Sequence, residues 1–254
     1  MQTMSEYYRS KRTRGLFDPE SAEPYRISRS GIDLFLQCPR CFYLDKRLGT
    51  ARVPMMPFNL NSAVDELLKR EFDINRATGT AHALMLTHGI DAVPFAHPQM
   101  DEWREARTAG ARSLHEPTNI LVTGGVDDIW INPRKKLHIV DYKATAKDTE
   151  VTLDAPWQIG YKRQVEVYQW LFRRLGFDVD EVAYFVYCNG RKNAPAFDFK
   201  LEFDVKVIQY TGDDAWVEPA LTDIKKCLMS PELPEAADSC DWCAYRTAAA
   251  QHEV

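Results

Sequence analysis

The sequence predicts an α/β fold in which a central mixed β-sheet is flanked by helices. Two observations predict it. Residues 119–144 hold two runs rich in β-branched residues, separated by the turn formers Asn132 and Pro133. A helical pattern at 161–177 then precedes two further strand patterns, so strands and helices alternate along the chain.

Length and composition indicate an ordinary globular protein. The chain has 254 residues and a net charge of −5, so it suits one sizeable α/β domain or two small ones. No apolar run is long enough to span a bilayer, and the N-terminus lacks the apolar segment of a secretory signal. We therefore expect a cytoplasmic protein without membrane contact. The mild negative charge argues against non-specific coating of nucleic acid.

Residues 1–25 are polar, basic and aromatic without periodicity, and are predicted to form a flexible N-terminal arm before a single domain over 26–254. A helix is expected from Ser28, as its cap, to the region of Pro39. A second helix is expected over 61–72, with one apolar face: Val64, Leu67, Leu68 and Phe72. Two short helices are expected at 82–90 and 100–114.

The strand patterns at 119–132 and 136–144 predict a β-hairpin. Asp141 and Lys143 share a parity on the second strand and therefore a face. This pattern leaves two interpretations open: a charged pair at the surface edge of a sheet, or a functional site.

The helix at 161–177 carries Gln164 and Tyr168 one turn apart on a largely apolar line. Strands are expected at 181–190 and 196–208, and a last long helix at 213–229.

Four of the six cysteines form two C-x-x-C pairs, Cys38 with Cys41 and Cys240 with Cys243. In a reducing compartment such pairs are typical of metal ligands rather than disulfides. Four thiolates suit Zn²⁺ or a [4Fe–4S] cluster, and would tie the N-terminal to the C-terminal region. Cys188 and Cys227 are expected to be core thiols.

The acidic residues of the hairpin indicate phosphodiester chemistry. Asp127 and Asp141, one from each strand, are placed to bracket Mg²⁺ or Mn²⁺, which prefer hard oxygen ligands. Lys143 would orient or deprotonate an attacking water and balance the phosphate charge.

These residues resemble the motifs of the PD-(D/E)XK nuclease superfamily. Gly124–Asp127 reads G-x-V-D, Val140–Lys143 reads V-D-Y-K, and Gln164 with Tyr168 gives the Q-x-x-x-Y motif of the RecB-like branch. Ser28–Leu44 also resembles that branch, which includes CRISPR-associated exonucleases and AddB-type helicase–nucleases. The resemblance runs from about Ser28 to Arg246.

The resemblance implies a restriction-endonuclease-like fold and a metal-dependent DNA nuclease. It would act on ends or single strands, in DNA repair, recombination or phage or CRISPR-type processing, and a larger nuclease–helicase or CRISPR-type complex is a possible setting. Asp127, Asp141 and the Tyr142 carbonyl would be metal ligands, and Lys143 the catalytic lysine. Gln164 and Tyr168 would contact the substrate or order the site. Asp128 is the alternative to Asp127, although the motif spacing favours Asp127.

The sequence departs from the family pattern in two places. Asp65 stands where RecB-like enzymes carry a metal-binding histidine, and the adjacent Glu66 is a substitute ligand. The cysteines are arranged two and two rather than one and three, yet the resemblance favours an iron–sulfur cluster over zinc. Two alternatives follow: a catalytically degenerate DNA-binding subunit of a larger complex, or a zinc-clasped interaction protein.

Overall fold

The computed structural model describes residues 11–54, 58–106 and 108–252. The first ten residues of the predicted N-terminal arm lie outside the described residues. The chain divides into two compact units. The terminal unit comprises Met1–Met56, Leu114–Val122 and Ala215–Val254, and the sheet unit comprises Pro57–Ser113 and Thr123–Asp214.

The described residues form eight α-helices and eight β-strands. The helices are α1 Arg29–Gln37, α2 Pro39–Lys46, α3 Asn59–Thr78, α4 Ala83–Thr87, α5 Met100–Arg104, α6 Ile159–Arg174, α7 Val217–Met229 and α8 Asp241–Ala250. The strands are β1 Tyr25–Ser28, β2 Val93–Pro94, β3 Ala111–His115, β4 Ile120–Gly124, β5 Asp128–Ile131, β6 Leu137–Thr145, β7 Val182–Gly190 and β8 Phe203–Thr211.

The sheet unit contains a five-stranded mixed sheet in the order β2-β5-β6-β7-β8, which confirms the predicted fold class. β6 and β7 are parallel and are joined through α6, whereas the other neighbours are antiparallel. β6 is therefore the central strand. The packed core on this sheet includes Phe72, Trp130, Val140 and Val186, which α3 and the strands contribute.

The predicted strand over 119–132 is wrong, because it is two strands in different sheets. β4 belongs to a three-stranded sheet in the order β1-β4-β3, whereas β5 pairs with β6. The chain leaves the ladder at Gly125, where a Cβ would lie 2.5 Å from the Ala106 Cβ. Beyond it, the Val126 amide donates a hydrogen bond to the Trp103 carbonyl at 3.1 Å.

Glycine and loop geometry also explain two other corrections. The predicted helix over 100–114 ends at Arg104, and β3 follows. Gly110 separates them with a φ of +75°, which a helix does not accommodate. The predicted strand over 196–208 begins only at Phe203, because Asp198 and Phe199 both take positive φ in the preceding loop.

The N-terminal helices follow their predicted signals more closely. The Ser28 hydroxyl caps α1 by accepting from the Gly31 amide, and Pro39 begins α2 after α1 has ended. The second predicted helix extends to Thr78, where Gly79 closes it in the left-handed conformation. Of the four residues on its predicted apolar face, Leu68 and Phe72 are buried, whereas Leu67 is 61% exposed.

In the described part of the chain, no helix combines the length and the apolar character needed to cross a membrane.

Position 124 requires glycine because the Tyr168 ring packs against its backbone. A Cβ on Gly124 would lie 2.5 Å from the Tyr168 ring, well inside van der Waals contact. We expect Gly124→Ala to lower the free energy of unfolding by about 1–3 kcal/mol, as measured by urea denaturation. Gly190→Ala is the control, because its Cβ would meet its nearest neighbours at an ordinary 3.5 Å. Equal stability of the two variants would contradict the packing argument.

Candidate active site

Asp127 lies beside the central strand. It directly precedes β5, and because Asp128 pairs with Val140, the continued register places it opposite Asp141. Its Oδ2 accepts a hydrogen bond from the Tyr142 amide at 2.9 Å. The carboxylate of Asp127 is thereby fixed against the backbone of the residue that follows Asp141.

Asp141 and Lys143 lie on the same face of β6, as their parity predicts. Asp141 is fully buried, and its Oδ2 forms an ion pair with the Lys143 ammonium. That ammonium also lies 4.5 Å from the centroid of the Tyr161 ring. Burial, followed by the charge of Asp141, raises the pKa of the Tyr161 phenol. The interpretation of a surface pair at a sheet edge is wrong, since β6 is central and Asp141 is buried.

Asp65 on α3 approaches the same region from a helix. The Asn61 side chain donates to the Ala144 carbonyl at 3.0 Å, which ties the start of α3 to the end of β6. The Asp65 Oδ2 lies 2.6 Å from the Lys69 Nζ, which lies 3.7 Å from the Asp127 Oδ1. Burial and the charge of Asp127 raise the pKa of Asp65, although Lys69 opposes the shift.

Besides Tyr161, which lies beside Lys143, Lys69 is the residue at this site that sequence reasoning missed. It follows Asp65 by four positions, so the two share a helix face, and this spacing was the available signal. Its approach to Asp127 depends on the packing of α3 and has no signature in the sequence. Glu66 takes a different direction, because it is exposed and pairs with the exposed Arg70 at 2.9 Å.

The structure distinguishes Asp127 from Asp128. Asp128 is completely buried and accepts hydrogen bonds from Arg76, from Arg104 at 3.4 Å and from the Tyr142 hydroxyl at 2.7 Å. The hydrogen bonds of its carboxylate are thus made within the protein interior, which favours a structural role for Asp128. Burial, and then the charge of Asp128, raise the pKa of Tyr142 well above its usual value.

Gln164 and Tyr168 are both buried on α6. The Tyr168 ring packs against Gly124, three residues before Asp127, so it supports the segment that leads to that carboxylate. The site therefore consists of two groups linked through the backbone of Tyr142. Asp65, Lys69 and Asp127 form one group, and Asp141, Lys143 and Tyr161 form the other.

The donor types fit a hard divalent cation, since three carboxylates and a peptide carbonyl are the ligands that Mg²⁺ and Mn²⁺ prefer. Lys69 already places a positive charge beside two of these carboxylates and Lys143 beside the third. The carboxylates are more widely spaced than the ligands of a closed metal cage. Across the described ranges, only the four cysteines form a group of three or more possible ligands within 4.8 Å of one another.

The cysteine cluster, which consists of Cys38, Cys41, Cys240 and Cys243, is buried in the terminal unit. The Cys41 Sγ lies 3.6 Å from both Cys240 and Cys243, and Cys38 lies 3.8 Å from Cys243. The first cysteine of each pair caps a helix, α2 or α8, and the second lies in its first turn. Helix N-termini stabilise thiolates, so the cluster is suited to bind a metal.

The other two cysteines lie apart from the cluster. Cys188 is buried and Cys227 half-buried, and burial raises the pKa of each thiol to about 11. These values describe neutral thiols at physiological pH. Cys188 lies in the core as expected, whereas Cys227 is only half-buried.

Comparisons with known proteins identify the family. A comparison with curated proteins finds no match to this chain. Among solved structures, the crystal structure of SSO0001 is similar at 16% identity and a TM-score of 0.35, over 85% of this chain and 82% of that one. The family model of the PD-(D/E)XK nuclease superfamily matches residues 26–248. The chain therefore belongs to the PD-(D/E)XK nuclease superfamily, a family of metal-dependent nucleases.

Proposed function

We propose that this protein is a RecB-like DNA nuclease that uses Mg²⁺ or Mn²⁺ and acts on DNA ends or single strands. The observation that carries the proposal is the ion pair of the buried Asp141 with the partly buried Lys143 on the central strand, with Asp127 fixed against the Tyr142 amide beside it. A buried ion pair is costly to maintain for stability alone, which favours a functional reason for it. Such a nuclease would act in the cytoplasm, in DNA repair, in recombination or in a CRISPR-type complex.

Each residue has a distinct part in the proposed reaction. Asp65, Asp127, Asp141 and the Tyr142 carbonyl would hold the metal, which supplies positive charge to the phosphate and makes its bound water more acidic. Lys143, held by Asp141 and the Tyr161 ring, would orient the attacking water and balance developing charge on the phosphate. Gln164 and Tyr168 would order the site, Tyr168 through its contact with Gly124.

Asp65 takes the place of the neutral histidine of RecB-like relatives, which adds one negative charge. Lys69 offsets that charge, because its ammonium lies 2.6 Å from Asp65 and 3.7 Å from Asp127. The pair of Asp65 and Lys69 thus has the net charge of a neutral histidine. This compensation supports an active site over a degenerate one.

We also propose that the cysteine cluster binds a [4Fe–4S] cluster, with Zn²⁺ as the alternative. Four thiols at the N-termini of two helices suit either metal, and the RecB-like resemblance favours iron–sulfur. In both cases metal binding would stabilise the terminal unit.

Asp141→Asn and Lys143→Met should each reduce DNA cleavage at least a hundredfold, because each removes a group placed at the reaction centre. Cleavage of single-stranded and duplex DNA would be measured with Mg²⁺ and with Mn²⁺. Asp148→Asn and Lys192→Met are matched controls. The wild-type Asp148 and Lys192 side chains form an exposed ion pair at 2.9 Å, so both variants should cleave DNA at the wild-type rate. If the wild type cuts no form of DNA with either metal, the proposed nuclease activity is wrong.

Lys69→Met should raise the affinity for Mn²⁺ about tenfold, because it removes a cation that competes for Asp65 and Asp127. Titration calorimetry would measure this without relying on activity. The control is Arg70→Met, whose guanidinium pairs with Glu66 at the surface. Unchanged affinity in Lys69→Met would show that Lys69 does not compete with the metal.

The purified protein should contain iron and inorganic sulfide bound to the cysteine cluster, and it should show broad visible absorbance. Cys240→Ser should lose this metal and lower the melting temperature, whereas Cys227→Ser, outside the cluster, should retain it. Stoichiometric zinc in colourless protein would overturn the choice of iron–sulfur.

A further inference from the structure

A series of two aromatic side chains between two lysines leads from the proposed catalytic lysine to the protein surface. The Lys143 ammonium lies 4.5 Å from the centroid of the Tyr161 ring. The Tyr161 and Trp157 rings meet edge to face, with centroids 5.4 Å apart. The Lys147 ammonium lies 5.8 Å from the centroid of Trp157. All four residues belong to the sheet unit.

Trp157 is the outer member of the series and is 58% exposed. An indole of this size normally contributes to stability by burial, so such exposure gives up much of that gain. Its apolar surface would instead be covered when a planar ligand stacks on it. A single exposed aromatic can also be incidental, so its support and surroundings matter.

The backbone around Trp157 is held rigidly. The neighbouring Gln158 side chain is fully buried, accepts from the Ala155 amide at 2.9 Å and donates to the Thr152 carbonyl at 2.7 Å. Pro156 restricts the backbone on the other side. A ring on a rigid support loses little conformational entropy when a ligand stacks on it.

Lys147 is fixed in a similar way. The Asn189 side chain accepts from the Lys147 amide at 2.8 Å and donates to its carbonyl at 3.1 Å. The backbone of Lys147 is therefore anchored, while its ammonium remains beside Trp157. An aromatic face with a neighbouring ammonium matches the two repeating parts of a nucleic acid strand, the base and the phosphate.

We propose that Trp157 is a stacking platform for an unpaired DNA base next to the reaction centre, with Lys147 binding the adjoining phosphate. This inference rests on the proposed function and specifies its substrate as an unpaired strand. Within a duplex both faces of an inner base are stacked on neighbours, so an inner base must be unpaired before it can lie on the indole. The series of side chains from Trp157 through Tyr161 to Lys143 would set the distance between the stacked nucleotide and the phosphate to be cut.

The test compares DNA binding by wild type, Trp157→Ala and Trp157→Phe without added divalent metal, so that no cleavage occurs. Fluorescence anisotropy would follow a labelled single strand and a duplex of the same sequence. We expect Trp157→Ala to bind the single strand about tenfold more weakly, Trp157→Phe to retain most affinity, and neither to change duplex binding. Trp242→Ala is the matched control, as that indole is 40% exposed in the terminal unit.

A series of single strands with one abasic position, moved along the sequence, supplies the decisive comparison. At the position that meets Trp157, loss of the base should weaken wild-type binding and abolish the difference between wild type and Trp157→Ala. A difference that persists at every position would overturn the stacking model. Unchanged single-strand binding in Trp157→Ala, or an equal loss for duplex, would overturn it as well.

These outcomes are distinct from a failure of the proposed function. If the wild type cuts DNA and Trp157→Ala binds single strands normally, the nuclease stands and only the platform is wrong. If the wild type neither binds nor cuts any DNA, the proposed function fails and the platform with it. Melting temperatures of the variants should match the wild type, because Trp157 is exposed and its support lies in Gln158.

Discussion

The buried carboxylate of Asp128 is the constraint on which the arrangement of the site depends. It joins four elements, because its partners are Arg76 on α3, Arg104 on α5 and the Tyr142 hydroxyl on β6, while Asp128 itself begins β5. A buried charge that lost its charged partners would be uncompensated, which costs about 3–5 kcal/mol. The network therefore fixes α3 against the hairpin, and the same helix carries Asp65 towards Asp127.

Adjacent acids on an extended chain point to opposite sides, and the two aspartates divide their tasks accordingly. Asp128 turns to the arginines, whereas Asp127 turns to the Tyr142 amide and Lys69. Tyr142 serves both, since its hydroxyl binds Asp128 and its amide binds Asp127. The structural network and the candidate site thus share one residue, so the position of Asp127 relative to Asp141 is set by the core.

The sequence was informative where local patterns decide the structure. The periodicity of α6, the alternation of β6 and the serine that caps α1 are local signals, and each element formed as expected. The prediction failed where distant contacts decide: the break at Gly125 follows from Ala106, and the position of Lys69 follows from the packing of α3. Motif spacing alone favoured Asp127 over Asp128 as the metal ligand. The physical reason lies in the structure, where buried hydrogen bonds already engage the Asp128 carboxylate.

The cysteine cluster joins two distant parts of the chain. Its two halves are separated by about 200 residues, and closing so long a flexible loop costs about 5 kcal/mol of chain entropy. Thiol contacts at 3.6–3.8 Å contribute only weakly against that cost, and the hydrogen bonds from Arg40 to Pro234 and from Tyr43 to Ser230 also act against it. Metal binding by four thiolates contributes about 10–16 kcal/mol in small zinc domains, which exceeds it. Each of α2 and α8 places one thiol at its N-cap and one in its first turn, a geometry that is suited to present ligands to a metal.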